Sequence, residues 1–301
     1  MILTVLGFLL IYSFLYGELN VLSTSVFKVK TTKLKLGTKP IRIVHLSDLH
    51  AKSFGRHNQK LIRKIKQLGP DLIITTGDMI SSTDTNGDAF LNIAFAFSGE
   101  IPMFYIEGNH ELTAKYDTLN QSNGWYDDYL DSLEKLGVHI LQNKSACVQI
   151  HGNHLFIHGL TVPLSHYYAV PDKIRYLEDV EPIQDVLDVL NKPDETAFNI
   201  LLAHNPFLAN IYEQYPSDLV CSGHVHGGAI RLPFVGGILS PERKLFPKYS
   251  SGRYKLKQKD LIVSRGLGRL RLFNRPEIVV IDLVTKRGIK NGKKTKDCDY
   301  F

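Results

Sequence analysis

The chemistry of this chain lies in short polar blocks, each placed directly after an apolar run. Asp48-x-His50 follows Ile41–Leu46, and Gly77-Asp78 follows Leu72–Thr76. Gly108-Asn109-His110-Glu111 follows Pro102–Ile106. His204 follows Ala197–Ala203, and Gly223-His224-x-His226 follows Asp218–Cys221. A packing motif has no use for a glycine, a neutral oxygen ligand, an imidazole and a carboxylate in a row, whereas a metal site at a strand end does. The donors are Asp and Asn oxygens and His nitrogens, without Cys. That set suits Mn²⁺, Fe, Co²⁺ or Zn²⁺ and disfavours an all-oxygen Ca²⁺ or Mg²⁺ cage. Seven protein ligands are too many for one ion with open positions. They suit two ions about 3.5–4 Å apart sharing a carboxylate. Two divalent ions carry twice the charge that Asp48 and Asp78 offset, and the surplus calls for a hydroxide and an anion. A phosphate ester meets that need, its oxygens spanning the metals while bound hydroxide attacks in line.

Such blocks need a scaffold that delivers them to one edge. With 301 residues, 44% of them hydrophobic, the chain can build a sizeable core. From residue 41 onward it alternates strand and helix patterns. Helices are expected over Asn58–Leu68, closed by Gly69-Pro70, over Asp88–Phe97 and over Trp125–Leu136. Val138–Leu141, Ala146–Ile150 and His154–His158 are short strands separated by turn residues, which implies antiparallel pairing. Residues 160–179 look like an irregular loop, Ile183–Leu190 like a helix, and Phe207–Gln214 like a short helix. After Gly227 the pattern returns to β, with strands at 229–232, 252–256, 261–263 and 277–283. This is one α/β domain with strands in two groups. In open α/β sheets ligands sit beyond the carboxyl ends of the strands, where all five blocks fall.

The ends differ from the middle. Met1–Tyr16 is uncharged and strongly apolar, and residues 1–25 form an N-terminal hydrophobic segment. It falls just short of the roughly 20 residues that cross a bilayer comfortably. An uncleaved single-pass anchor in the cell membrane is the preferred reading, over a cleaved export signal or a helix lying in the interface. Lys28, Lys30, Lys33 and Lys35 follow, and the positive-inside rule puts the domain on the cytoplasmic side. Residues 26–36 read as an edge strand with lysines in water. The tail, 286–301, is basic and polar. A net charge of +6 suits an anionic substrate or a lipid surface and does not by itself indicate nucleic acid, which is not expected as a specific partner. Three dispersed cysteines allow one possible pair, too few for a disulfide framework, and their spacing excludes thiolate zinc clusters. No signal bears on oligomeric state.

Taken in order and spacing, the blocks D48-x-H50, G77-D78, G108-N109-H110-E111, H204 and G223-H224-V225-H226 resemble the signature of the calcineurin-like metallophosphoesterases. The later elements G227-G228, R231-L232-P233, K248-Y249, S264-R265-G266-L267-G268 and N274-R275-P276-E277 are similar to a bacterial, membrane-associated branch. The resemblance implies a domain over 38–285 with a four-layer α/β sandwich on two facing mixed β-sheets. It implies that Asp48, His50 and His226 hold the first metal, that Asn109, His204 and His224 hold the second, and that Asp78 bridges. His110 would stabilise the transition state or protonate the leaving oxygen, and Glu111 would orient His110 or a ligand from behind. The implied activity is hydrolysis of a phosphodiester, phosphomonoester or pyrophosphate bond. Some relatives in that branch cleave a nucleotide–acylsugar pyrophosphate.

Other residues have plainer readings. His45, His57, His139, His151 and His154 fit strands, turns or a helix start, while His158 and His166 lie nearer the irregular loop and substrate. Cys221 reads as a buried small hydrophobe. Arg269, Arg271 and Arg275, after the glycine-rich stretch, could contact phosphate or anionic lipid, or simply be a solvated loop. Leu267, Leu270 and Phe273 beside them look exposed and make a lipid-linked substrate attractive. Tyr167 and Tyr168 could line a pocket or cover core. The competing functions are a metal-binding membrane-surface module without turnover, and a di-metal hydrolase acting on an amide.

Overall fold

The computed structural model describes residues 2–121, 124–167, 188–190, 192–232, 234–241, 243–269 and 271–286. Two six-stranded sheets face each other. The first contains β1 (Ser23–Thr31), β2 (Ile41–Leu46), β3 (Leu72–Thr76), β4 (Met103–Ile106), β5 (Val138–Ile140) and β14 (Glu277–Thr285), in the order β1-β14-β2-β3-β4-β5. From β2 to β5 the pairing is parallel, and β14 runs antiparallel to β2. The second sheet contains β6 (Lys144–Ile150), β7 (Asn153–Leu160), β8 (Phe198–Ala203), β9 (Leu219–Ser222), β12 (Gly252–Leu256) and β13 (Lys259–Val263), in the order β12-β13-β9-β8-β7-β6. Its centre, β13-β9-β8-β7, is parallel and its edges are antiparallel.

The sequence explains which strands lie inside. β3, β4, β8 and β9 are continuous runs buried at every residue, as strands covered on both faces must be. Ile43, Ile74, Phe104 and Ile106 of the first sheet meet Ile157, Ile200, Leu202 and Ile262 of the second in the core between them. Cys221 lies in that core as a buried small hydrophobe. On the outer face of the first sheet, α2 (Gln59–Leu68), α3 (Asp88–Phe97) and α5 (Trp125–Lys135) bury Leu61, Ile65, Phe90, Phe97 and Tyr129 against Val44, Ile73 and Tyr105. The second sheet is covered by the short α6 (Ala209–Tyr212) and by Leu112 of α4 (Asn109–Gln121). The result is the four-layer sandwich expected.

Some expectations need correction. Val138–Ile140 does not pair antiparallel with its successors: β5 joins β4 in parallel, and the chain then crosses to the second sheet, where β6 and β7 form the hairpin. The edge strand expected at 26–36 spans 23–31 and lies at the sheet edge, with Lys28 and Lys30 exposed. Helix α4 begins inside the Asn109 block and puts Glu111 in its first turn. Most of the expected helix at 183–190 falls outside the described residues, and 188–190 form a turn and bend.

The apolar N-terminus forms α1 (Ile2–Asn20), and its C-terminal end is docked on the domain. Glu18 Oε1 accepts from Arg275 Nε at 3.0 Å, and the rings of Phe14 and Phe273 lie 5.6 Å apart. Val5, Leu6, Leu9, Leu10 and Tyr12 are exposed. Among the described residues, no helix is long and apolar enough to cross a membrane, so the expected single-pass anchor finds no support in the fold.

Phe104 is 1% exposed between the sheets and stacks on His139. Phe104→Ala should destabilise the fold by about 3–5 kcal/mol, read as a lower urea midpoint.

Candidate metal centre

Strand ends deliver the ligands, and backbone hydrogen bonds keep them in place. Beyond β2 and β3, Asp48 N donates to Gly77 O and His50 N to Asp78 O, both at 3.0 Å, so the loops stay paired after the strands stop. In the other sheet Gly223 N donates to His204 O at 3.1 Å. Asp48, His50, Asp78, His224 and His226 have φ of 52°, 49°, 54°, 68° and 55°, a left-handed region that costs a non-glycine residue energy. Small residues allow the loops to close. A Cβ on Gly108 would lie 2.7 Å from Asp78 N, and one on Gly223 would overlap Ser47 Oγ.

Six of the seven candidate ligands converge. Asp48, His50 and His226 bring ligand atoms within 4.8 Å of one another, as do His50, Asp78 and His110, and Asp78, His204 and His224. Asp78 Oδ2 stands 3.2 Å from His204 Nε2 and 3.8 Å from His50 Nε2, between the two sides. Its Oδ1 accepts from His110 N at 2.9 Å. Asp48 Oδ1 accepts from His224 N at 2.9 Å and lies 3.8 Å from His226 Nδ1. Asn109 Oδ1 and His226 Nδ1 are buried and have no hydrogen-bond partner.

The electrostatics describe a site built for cations. Burial pushes His50 down to about 3, and burial with neighbouring His50 holds His226 well below the usual imidazole range, so both present neutral nitrogens. Burial pushes Asp48 up to about 6. Burial works against ionisation of Asp78 too, yet His204 and His110 hold it well below the usual carboxylate range. Burial disfavours charge on His204, but Asp78 and Asp48 outweigh it and lift that ring to about 9. His204 Nδ1 faces Thr76 O, which leaves Nε2 towards the carboxylates. Buried acceptors without donors, neutral imidazoles and carboxylates that draw positive charge fit two divalent ions.

His110 is set apart by its tautomer. Its Nδ1 accepts from Ser82 N at 3.0 Å, so a neutral ring keeps its proton on Nε2. A nitrogen carrying a proton cannot bind metal but can donate to a substrate oxygen. His50, His110, His226, Ser81, Ala229 and Arg269 are among the residues around a cavity of about 720 Å³.

Glu111 does not reach His110. Its buried carboxylate accepts from Asp78 N and Met79 N at 2.7 Å and from Gly108 N at 2.9 Å, and so holds the backbone carrying Asp78. Burial, then the nearby Asp78 charge, pushes it up to about 8 against those donors.

Several supporting residues were missed or left ambiguous. The glycine-rich stretch is a floor: Leu267 N donates to Ser47 O and Asp48 O at 3.0 and 3.1 Å, and a Cβ on Gly268 would lie 2.8 Å from His50 Cδ2. Leu267, expected to be exposed, is fully buried. Arg271 is buried, donates from Nη1 to Gly266 O at 3.0 Å, and has no hydrogen-bond partner at Nε or Nη2. Asn274 Nδ2 donates to the carbonyls of His226 and Gly228. The Tyr167 ring covers His224 at 5.0 Å, while Tyr168 and Leu270 lie outside the described residues. His158, once a candidate for substrate, is buried on β7 among Ser145, Asn199 and Tyr215. His45 is buried against Thr76 Oγ1.

Comparison with known proteins follows the same residues. Positions 41–228 match the family model described as Calcineurin-like phosphoesterase. The uncharacterized metallophosphoesterase YkuE of Bacillus subtilis is 28% identical, covering 89% of this chain and 87% of its own. The UDP-2,3-diacylglucosamine pyrophosphatase LpxG of Chlamydia muridarum is 28% identical over 80% of this chain and 83% of its own. Phosphodiesterase YaeI of Escherichia coli is 26% identical over 81% and 83%.

If Glu111 holds the Asp78 loop, Glu111→Gln turns an acceptor towards a donor–donor clash while keeping side-chain size. Calorimetric Mn²⁺ affinity should fall about 10–100-fold, with near-native circular dichroism.

Proposed function

The chain belongs to the calcineurin-like phosphoesterase family and is a metal-dependent phosphoester hydrolase; from that premise we propose how its residues divide the work. Asp48, His50 and His226 hold one divalent ion, Asn109, His204 and His224 hold a second, and Asp78 serves both. The observation that carries this is the position of Asp78, whose Oδ2 faces His50 on one side and His204 on the other. Bound ions supply Lewis acidity towards the phosphoryl group and activate water. Manganese, iron, zinc and cobalt all suit this donor set.

The protein's own groups do the rest. Asp78 commits Oδ1 to the His110 amide, so its position is set before substrate arrives. The Nε2 proton of His110 hydrogen-bonds a phosphoryl oxygen or passes to the leaving oxygen. Arg269, on the cavity wall, offers counter-charge to the ester. The bond cleaved is a phosphodiester or pyrophosphate in a membrane-associated or lipid-linked substrate, and the protein works at the cell membrane. Two observations support this finer reading: the apolar α1 with exposed side chains, and the name of LpxG, a pyrophosphatase of a diacylated sugar nucleotide.

The test is a chelated protein reloaded with Mn²⁺, Fe²⁺, Co²⁺ or Zn²⁺ and assayed on a bis-nitrophenyl phosphate ester. Turnover should vanish on chelation, return with at least one ion, and be inhibited competitively by vanadate. Asp78→Asn should fall to near background, and full activity in that variant would sink the bridging role. His110→Asn should lose about 10²–10³ in kcat while titrating the same amount of metal. A metal-loaded protein inert towards a broad ester panel would favour a binding module without turnover.

A further inference from the structure

Beside the cavity lies a surface that hydrolysis does not explain. The chain leaves the site at Gly228 and makes an excursion with a small hairpin, β10 (Arg231–Leu232) paired with β11 (Gly236–Gly237). Phe234 at its turn is fully exposed with φ of 66°, and Val235 follows it into solvent. Leu245 and Phe246 on the returning arm are 68% and 63% exposed. Single exposed apolar side chains are ordinary, but four on adjoining arms are not, and these arms are joined by the Leu239–Leu245 bridge and by Phe246 N donating to Ile238 O at 2.8 Å.

The excursion is part of a larger surface. Ile230 bridges Leu272, and Arg231 N donates to Leu272 O at 3.1 Å. The next residue, Phe273, is half exposed and faces Phe14 of α1. Apolar groups therefore run from α1 across Phe273 to the hairpin. The same two segments rim the cavity, through Ala229, Ser240 and Pro241 on one and Arg269 on the other. Cations lie among them: Arg243, Lys248 and Arg269 are exposed, and residues 229–250 contain four basic side chains and one acidic.

We propose that this surface docks the protein on an anionic lipid bilayer, with Phe234, Leu245 and Phe246 entering the acyl boundary and Arg243 and Lys248 meeting headgroup phosphates. The proposal rests on the reading of a membrane-held substrate and adds the face that meets the membrane. Apolar tips ringed by like charge suit a bilayer, which takes up both. They suit a second copy of this chain poorly, because its cations would oppose these. Docking on this face turns the cavity mouth towards the headgroups, where a lipid-linked phosphoester lies.

The full chain tests this in two ways. The protein has one tryptophan, Trp125, so Phe234→Trp in a Trp125→Phe background gives a sole reporter at the turn. Its emission should shift to the blue and be quenched by brominated lipid with phosphatidylglycerol-containing vesicles. Unchanged emission and no quenching would overturn the proposal. Separately, Phe234→Ser/Phe246→Ser and Arg243→Glu/Lys248→Glu should each weaken sedimentation with those vesicles by about tenfold or more. Vesicle affinity equal to that of the parent would also overturn it, as would a dimer that these changes dissolve. Hydrolysis of the soluble nitrophenyl ester should be unchanged in both variants. That assay reads the hydrolytic centre alone, so a failed docking surface and a failed enzyme assignment give different results.

Discussion

Two fully buried carboxylates, Asp48 and Asp78, stand at the ends of neighbouring parallel strands, and their desolvation governs everything around them. A carboxylate taken out of water needs donors or positive charge. Asp78 receives one backbone donor at Oδ1 and leaves Oδ2 among imidazoles, so its remaining demand is for a cation. Asp48 is served by the amide of His224, which makes a residue of the second sheet the partner of a residue of the first. A third buried acid, Glu111, spends its oxygens on backbone amides and leaves the cluster's charge concentrated on the two aspartates. The geometry therefore separates one acid that shapes the loop from two that face ions.

Placing these groups works against local backbone preference. Five of the seven candidate ligands sit at positive φ, at about 1–2 kcal/mol each for an L-residue. Loops in isolation would relax away from that. They are held because strand pairing continues into them and because the glycine-rich floor of 266–268 closes from below. The continuous apolar strands supply the rigid frame, and the core between the sheets fixes the distance between the two sets of ligands. Pre-organisation of this kind is what ligand geometry and phosphoryl transfer both require.

This division explains what the sequence could and could not reveal. The ligand blocks were legible because polar chemistry interrupts apolar runs at one place in each unit, and β2, β3, α3 and β12 have the boundaries that pattern predicts. The partner of β5 was not legible, since turn residues after a strand mark a reversal without saying which sheet receives the chain. Helix α4 was harder to read because its sequence is largely polar and its first turn doubles as a candidate ligand block. The target of Glu111 is a row of backbone amides, and backbone amides have no signature. Leu267 misled for a similar reason: arginines flank it, yet its own amide and side chain turn inward.

The junction at Lys52 links the site to the N-terminal helix. Its ammonium is buried and donates to the carbonyls of Leu19, Leu267 and Gly268, so its three protons meet three backbone oxygens without any carboxylate. Burial, then the nearby Arg271, pushes it down to about 7. One group thus ties the end of α1, the loop that carries His50 and the floor beneath both. Glu18 and Arg275 make a second tie between α1 and the domain. Both ties join α1 to segments that floor or flank the site, so the face that α1 presents and access to the candidate metal centre share one frame.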